Sequence, residues 1–262
     1  MIATVGDNCM DVYSKLNQSY PGGNAVNVAV YLRRAGMNVS YIGYVGNDGY
    51  GEKMKNALAS KGVDISHVHT IDGKTAVTMV ELVDGDRVFG DYDEGVMVDF
   101  KLSEEDMHYI AATPIVHTAI WGNIEDQLPE LKKLGKTISF DFSDQLDHEI
   151  VAKALPYVDY AFFSYDQDDE YIRDYILAAW QPSLKYIIVT LGEHGSIAYD
   201  GQMFMKQDII PVEVVDTMGA GDSFIAGFLA AITNELPIEE CLKRGAESSA
   251  ITIQYMGAWH VN

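Results

Sequence analysis

Positive charge is scarce in this chain. Its 262 residues carry 18 Lys and Arg against 39 Asp and Glu, a formal net charge of −21. Nucleic-acid binding draws its affinity from cations set against phosphates, so no nucleic-acid partner is expected. Cysteine is nearly missing: Cys9 and Cys241 make no disulfide framework, which points to a reducing cytoplasm. No apolar run approaches the ~18 residues needed to cross a bilayer. The start, Met1-Ile2-Ala3-Thr4-Val5-Gly6-Asp7, has neither the basic flank nor the cleavage pattern of a secretory leader. No membrane partner is expected either. Linkers, low-complexity tracts and internal repeats are lacking as well, so residues 1–262 read as a single domain.

What is present is a large apolar fraction, 48 % of the chain, enough at this length for one α/β domain with a substantial core. Residues 2–6 read as a first buried strand. A helix follows around residues 24–35 with Gly36 as its C-terminal stop, and residues 50–61 predict a second. From Lys101 onward the alternation is regular. Ser103-Glu104-Glu105-Asp106 caps a helix, and apolar strands fall near residues 115–120, 137–142, 160–164 and 185–191. This predicts an α/β fold, a doubly wound, mostly parallel sheet with helices on both faces. The apolar run 209–215 is expected to add another buried strand. Residues 75–83, the turn signal Asp84-Gly85-Asp86 and the return Arg87-Val88-Phe89 predict a hairpin. A hairpin does not extend a doubly wound core, so it reads as part of a small β-lid, formed mainly by residues 12–20 and 73–98, that excludes water from a reaction.

The chain is organised around Asp216-Thr217-Met218-Gly219-Ala220-Gly221-Asp222. After it, residues 224–232 are apolar on all faces and predict a buried helix. A strand, a tight glycine turn and a helix start aim free N–H groups and a positive dipole end at one point. Such a point holds an anion, most often phosphate. Gly219 and Gly221 flank the small Ala220, which lets backbone approach a ligand closely. Asp222 stands where the helix begins. An acid there is a good N-cap; it is equally placed as a base beside a phosphate, ready to take a hydroxyl proton during phosphoryl transfer.

Near the other end, Gly22-Gly23-Asn24-Ala25-Val26-Asn27 opens a helix with neutral donors and acceptors suited to polyols. Asp11, beyond the first strand, is placed to accept hydrogen bonds from sugar hydroxyls, with a solvated turn residue as the plain alternative. Asp91-Tyr92-Asp93-Glu94 reads as a solvated face or as an acidic rim for a substrate bearing an ammonium group. Three patterns are set aside. Gly135-Lys136-Thr137 ends like a P-loop, but Glu130 stands at its first glycine and a strand follows. Gly219-Ala220-Gly221 begins like a dinucleotide fingerprint, but Phe224 occupies the third glycine position. His67 and His69 share a strand face, yet no Cys or Glu stands at ligand spacing to complete a metal site.

The string Asp-Thr-x-Gly-Ala-Gly-Asp at 216–222 resembles the C-terminal motif of the ribokinase-like (PfkB-type) carbohydrate kinases. Gly22-Gly23-Asn24, with Gly43-Tyr44-Val45-Gly46 and Gly49-Tyr50-Gly51 downstream, resembles their N-terminal motif. The resemblance implies a ribokinase-like fold whose lid mediates a homodimer, and ATP-dependent phosphorylation of a sugar hydroxyl. It implies Asp222 as the base, with the N–H groups of Gly219, Ala220 and Gly221 neutralising charge on the transferring group. Asp11, Gly22, Gly23, Asn24 and Asn27 are expected on the sugar. Thr190, Gly192 and Gly195 match the segment that lines the nucleotide phosphates, and Ala246 and Ser249 lie where the family borders adenine. The family's Asn-x-x-Glu, which orders the magnesium shell, has its nearest match in Gln167-Asp168-Asp169-Glu170, so Glu170 is assigned to Mg2+ through water. Asp216 is assigned to a monovalent cation such as K+.

Further stretches are similar to those of family members acting on the 6-hydroxyl of an amino-acid-linked fructose. They include Arg87-Val88-Phe89-Gly90-Asp91-Tyr92, Ala119-Ile120-Trp121-Gly122 and Asp141-Phe142-Ser143-Asp144. This adds Arg87 and Trp121 to the expected substrate contacts, and an indole beside acids suits a secondary amine. A kinase for another sugar or nucleoside, and a non-catalytic sugar-binding protein on this fold, are the competing readings. ATP is itself an anion, so a chain this acidic must hold it by backbone N–H groups, helix ends and a divalent cation. The helix N-terminus also favours the carboxylate form of Asp222, which is therefore expected to be a weak base acting chiefly through its position.

Overall fold

Strands covered on both faces have no polar side to show, and so Ile2-Ala3-Thr4-Val5 and Tyr160-Ala161-Phe162-Phe163 are continuous buried runs. The computed structural model describes residues 1–83 and 86–260, of which 82, 83 and 86–89 are described by backbone alone. The strands are β1 (Ile2–Val5), β2 (Cys9–Tyr13), β3 (Gln18–Gly22), β4 (Val39–Gly46), β5 (Val68–Ile71), β6 (Val77–Val83), β7 (Asp86–Asp93), β8 (Ile115–Ala119), β9 (Thr137–Asp141), β10 (Tyr160–Ser164), β11 (Tyr186–Thr190), β12 (Ser196–Tyr199) and β13 (Phe204–Gln207). The helices are α1 (Asn24–Arg34), α2 (Gly49–Ser60), α3 (Glu104–Ala111), α4 (Leu128–Lys133), α5 (Glu149–Ala154), α6 (Glu170–Ala179), α7 (Ala220–Thr233) and α8 (Ile238–Thr252).

Nine strands form one sheet in the order β13-β12-β11-β10-β9-β8-β1-β4-β5. It is parallel from β5 to β11 and closes with the antiparallel strands β12 and β13. Ile2 and Ala3 of β1 register with Val39 and Ser40 on one side and with Ile115 and Val116 on the other. The chain winds away in opposite directions from β1 and β8. That reversal opens a crevice beyond the carboxyl ends of the strands, where open α/β sheets bind ligands.

Side-chain caps start several helices. Asp48 accepts from the Gly51 N–H ahead of α2, Asp169 from Ile172 ahead of α6, and Ser103 with Asp106 forms a reciprocal capping box on α3. Helix α7 is buried continuously from Ser223 to Ala231 and packs between α1 and α8, as its all-round apolar sequence predicts. No helix among the described residues is long and apolar enough to cross a membrane.

A second sheet of four strands has the order β3-β2-β6-β7. The hairpin β6–β7 belongs to it; its turn at Asp84 and Gly85 lies outside the described residues. Its other half comes from residues 9–22, where β2 pairs with β3, and includes the expected 12–20; Asp11 lies in mid-strand opposite Tyr20, not in a solvated turn. One expectation fails outright. The run 209–215 makes no strand, and Ile209, Val214 and Val215 are 46 %, 57 % and 51 % exposed. Pro211 cannot donate to a ladder, and the N–H groups of Val215 and Asp216 instead bond to the Ile253 carbonyl beyond α8.

Candidate active site

Three strand ends and two helix starts converge on the crevice. Asp7 follows β1, and its Oδ2 accepts the backbone N–H of Asn24, the first residue of α1, at 2.6 Å. His117 lies inside β8, fully buried; Asp141 ends β9; Asp222 stands in the first turn of α7.

Two asparagines join these groups. Asn24 Nδ2 is 2.8 Å from Asp141 Oδ2 and 2.8 Å from Asp222 Oδ1, and Asn27 Nδ2 is 2.8 Å from Asp222 Oδ2. Ionised carboxylates only accept, so both amides turn nitrogen toward them and oxygen away. The Asn27 oxygen then accepts from the indole N–H of Trp259 at 2.8 Å, and the Asn24 oxygen lies 2.9 Å from His117 Nε2. That contact assigns the proton of His117 to Nε2 and leaves Nδ1 to accept from Ser139 Oγ at 2.9 Å. Burial pushes the His117 pKa down to about 3, so the ring is neutral and serves to hold Asn24.

The carboxyl groups shift the other way. Burial, reinforced by the charges of Asp141 and Asp7, raises Asp222 from 3.8 to about 7, against hydrogen bonds from Asn27 and Asn24 that lower it. Burial lifts Asp141 to about 7 and Asp7 to about 6. The expectation of a weak base is thereby overturned. A helix dipole contributes about 0.3–1 kcal/mol and is outweighed by desolvation among like charges.

Gly219, the N-cap of α7, has φ +74°, and a Cβ there would stand 2.3 Å from the Tyr31 hydroxyl oxygen. Only glycine meets both conditions without strain. The Tyr31 hydroxyl donates to the Ala258 carbonyl, and Asp216 accepts the N–H groups of Met218 at 3.1 Å and Gly257 at 2.6 Å, so the turn is fixed to the far end of the chain. The Ala220 N–H closes a turn on the Thr217 carbonyl, whereas those of Gly221 and Asp222 have no partner among the described residues. No side chain caps this helix start, which leaves its donors to an external anion. A cavity of about 220 Å3 lies there, bordered by Gly219, Gly221, Asp222, Asp141, Ser164 and Thr190.

The remaining expected residues divide. Gly22 lies beside Asp11, and a Cβ at Gly22 would stand 2.8 Å from Asp11 Oδ2, so the missing side chain makes room for that carboxylate. Gly23 is the N-cap of α1. Thr190 borders the cavity, whereas Gly192 and Gly195 shape the turn between β11 and β12 and do not line it. On α8, Ser249 Oγ donates to the Ala220 carbonyl at 2.7 Å, and Ala246 is half-buried one turn before. Glu170 is exposed in the first turn of α6; Ser164, at the end of β10, is the residue of that connection that borders the cavity. Trp121 is 50 % exposed in the loop after β8, and the side chain of Arg87 lies outside the described residues. Asp7, His117, Asp141 and Trp259 belong to the site and were assigned no role from sequence. Asp7 follows a buried strand and Asp141 ends one, a signal that points to them as well as it does to Asp11; His117 and Trp259 carry no local signal.

Comparison with known proteins gives this geometry a family. Residues 10–261 match the pfkB family carbohydrate kinase profile. The chain is 53 % identical over 258 residues to the fructoselysine 6-kinase of Escherichia coli (strain K12), covering 98 % of this chain and 99 % of that one. It is 35 % identical over 263 residues to fructosamine kinase FrlD of Bacillus subtilis (strain 168), covering 98 % and 92 %. The structure of Arabidopsis thaliana ribokinase complexed with ribose and ATP matches with a TM-score of 0.85 at 22 % identity, over 98 % of this chain and 93 % of that one, which shows a shared fold. By profile, by identity to these relatives and by fold, the chain belongs to the pfkB family of carbohydrate kinases.

Proposed function

We propose that this kinase transfers the terminal phosphoryl group of ATP to the 6-hydroxyl of fructoselysine. The observation that carries the chemistry is the pairing of Asp222, raised to about 7, with an uncapped helix start whose N–H groups border the same cavity. A carboxylate poised near neutral pH can take the acceptor proton as the bond to phosphorus forms. Gly219 and Gly221 present backbone to the transferring group, where N–H donors are most effective because they need no reorganisation. Asn24 and Asn27 hold Asp222 through both oxygens and fix its direction. Full-length likeness to fructoselysine 6-kinase supports the choice of acceptor, and the exposed indole of Trp121 suits the amine of its lysine arm.

Asp141, Ser164 and Thr190 give the phosphate end of the cavity the hard oxygen donors that suit Mg2+. When bound, magnesium supplies charge neutralisation between phosphates; Glu170, exposed at the start of α6, would meet it through water. A monovalent cation such as K+ beside Asp216 would brace the loop that Asp216 already ties to Met218 and Gly257. The four-stranded sheet serves as the lid, carrying Asp11 and Gly22 to the acceptor, and the exposed Leu16 and Tyr20 on it suit a homodimer contact. A cytoplasmic site of action fits the two free cysteines.

A coupled ADP-release assay on fructoselysine, free fructose and a nucleoside tests this reading. Turnover on fructoselysine with little on fructose is expected. Turnover confined to another acceptor would reassign the substrate, and ligand-induced stabilisation with no ADP release from any acceptor would leave a sugar-binding protein.

A further inference from the structure

His67 immediately precedes β5, the edge strand of the large sheet, and His69 is its second residue. Two-residue spacing on extended chain puts both imidazoles on one side. The partner missing from their sequence neighbourhood arrives from helix α3. Asp106 Oδ1 lies 2.7 Å from His67 Nδ1 and 2.8 Å from His69 Nε2. Asp106 is fully buried, and its Oδ2 accepts from the Ser103 hydroxyl at 2.7 Å and the Ser103 N–H at 2.9 Å. The carboxylate is thus oriented by a second set of hydrogen bonds, as metal-binding carboxylates are. The Tyr109 ring packs over His67 with centroids 4.1 Å apart, fixing that imidazole too.

We propose that His67, His69 and Asp106 form a binding site for a first-row divalent cation of the zinc type, with water in the fourth position. The three donor atoms lie within 4.8 Å of one another, and the His67 and His69 side chains are 12 % and 30 % exposed, which leaves an approach from solvent. Two imidazole nitrogens and one carboxylate oxygen are a set zinc takes, with bonds of about 2.0–2.2 Å. Binding replaces two N–H···O contacts with metal bonds. Each imidazole would coordinate through the nitrogen that faces Asp106 and carry its proton on the other ring nitrogen, the form in which histidine binds metals.

The site's place in the fold indicates its role. His67 and His69 stand before hairpin β6–β7, and Asp106 stands after it. An ion there ties together the two chain segments from which half of the second sheet departs. None of the three residues takes part in the hydrogen bonds around Asp222. The ion therefore acts on stability, because a ligand bound only by the native state raises its unfolding free energy by mass action.

The test uses untagged protein stripped with EDTA. It is titrated with ZnCl2 by calorimetry and by thermal unfolding, and with CoCl2 by visible absorption. One equivalent of Zn2+ should bind, with a Tm rise of roughly 5 °C at zinc a hundredfold above Kd, and Co2+ should give the d–d band of a nitrogen- and oxygen-bound ion. The double variant His67→Gln/His69→Gln should lose all three signals; it keeps Asp106, whose capping of α3 makes it unsafe to remove. Asp222→Asn should bind Zn2+ with unchanged stoichiometry. Binding equal in wild type and double variant, absence of binding in wild type, or loss of binding in Asp222→Asn would each overturn the proposal.

Discussion

Asp141 and Asp222 share a single amide, for Nδ2 of Asn24 is 2.8 Å from Oδ2 of the first and 2.8 Å from Oδ1 of the second. Two acids are thereby held side by side in a buried crevice with a third, Asp7, behind them, and burial raises all three. Such an arrangement is poor for stability and good for proton transfer. The neutral His117 holds Asn24 by its oxygen and the Trp259 indole holds Asn27, so the amides cannot rotate away from the acids they face.

Asp222→Asn keeps the size of the side chain and one acceptor while removing the proposed base. Turnover should fall by about 10²–10⁴, the usual contribution of a general base. Circular dichroism and the Tm shift produced by ATP should be unchanged. Near-normal turnover in a folded variant would remove Asp222 from the chemistry.

The pH dependence follows from the direction of the Asp222 shift. A base must be deprotonated, so kcat/KM should climb through a pKa near 7 and level off above it. Hydrogen bonding from Asn24 holds that value down. Asn24→Ala should therefore move the acidic limb to higher pH, with activity at pH 7 partly restored at pH 8.5. An acidic limb at the same pH in both proteins would mean that another group controls it.

Stability should move the opposite way. Asp7, Asp141 and Asp222 have folded pKa values of about 6, 7 and 7, all above the unfolded value of 3.8. Between those limits the native state holds more protons than the unfolded chain, so this contribution is complete below pH ~4 and is lost as pH rises through 6–7. Asp141→Asn removes one of the charges that forms. The variant should gain more Tm relative to wild type at pH 8 than at pH 5, because the loss begins near the unfolded pKa and is complete only above about 7; a difference independent of pH would show that the acids are not strained by charging.

How much of this was legible in the sequence depends on how local each feature is. The glycine turn at 219–221, Asp222 and the Asn24–Asn27 pair are set by neighbours in sequence, and the structure brings them together. His117 and Ser139 meet only because β8 and β9 pair in one particular register, and Trp259 reaches Asn27 across nearly the whole chain. No window of sequence contains those contacts. The same limit hid the partner of His67 and His69, which sits on a helix beyond the hairpin. Residues 209–215 misled for a different reason. Their composition is that of a strand, but Pro211 and Glu213 interrupt it, and β13 already completes that edge of the sheet.

Gly22→Ala separates a sugar-binding Asp11 from a structural one. Gly22 has no positive φ, so alanine is compatible with its backbone. The new Cβ would lie 2.8 Å from Asp11 Oδ2, so the far end of that side chain must shift. If Asp11 accepts a hydroxyl of the acceptor, displacing it loses a hydrogen bond to a charged group, roughly 1.5–3 kcal/mol. The acceptor KM should then rise by about tenfold or more, since every 1.4 kcal/mol is a factor of ten. The KM for ATP and the Tm should hold steady, because the displaced carboxylate lies on the second sheet while the helix start proposed to meet phosphate is on α7. Asp11→Asn should reproduce the acceptor effect with no steric change. An equal rise in both KM values, or a lower Tm with an unchanged acceptor KM, would place Asp11 among the residues that build the sheet.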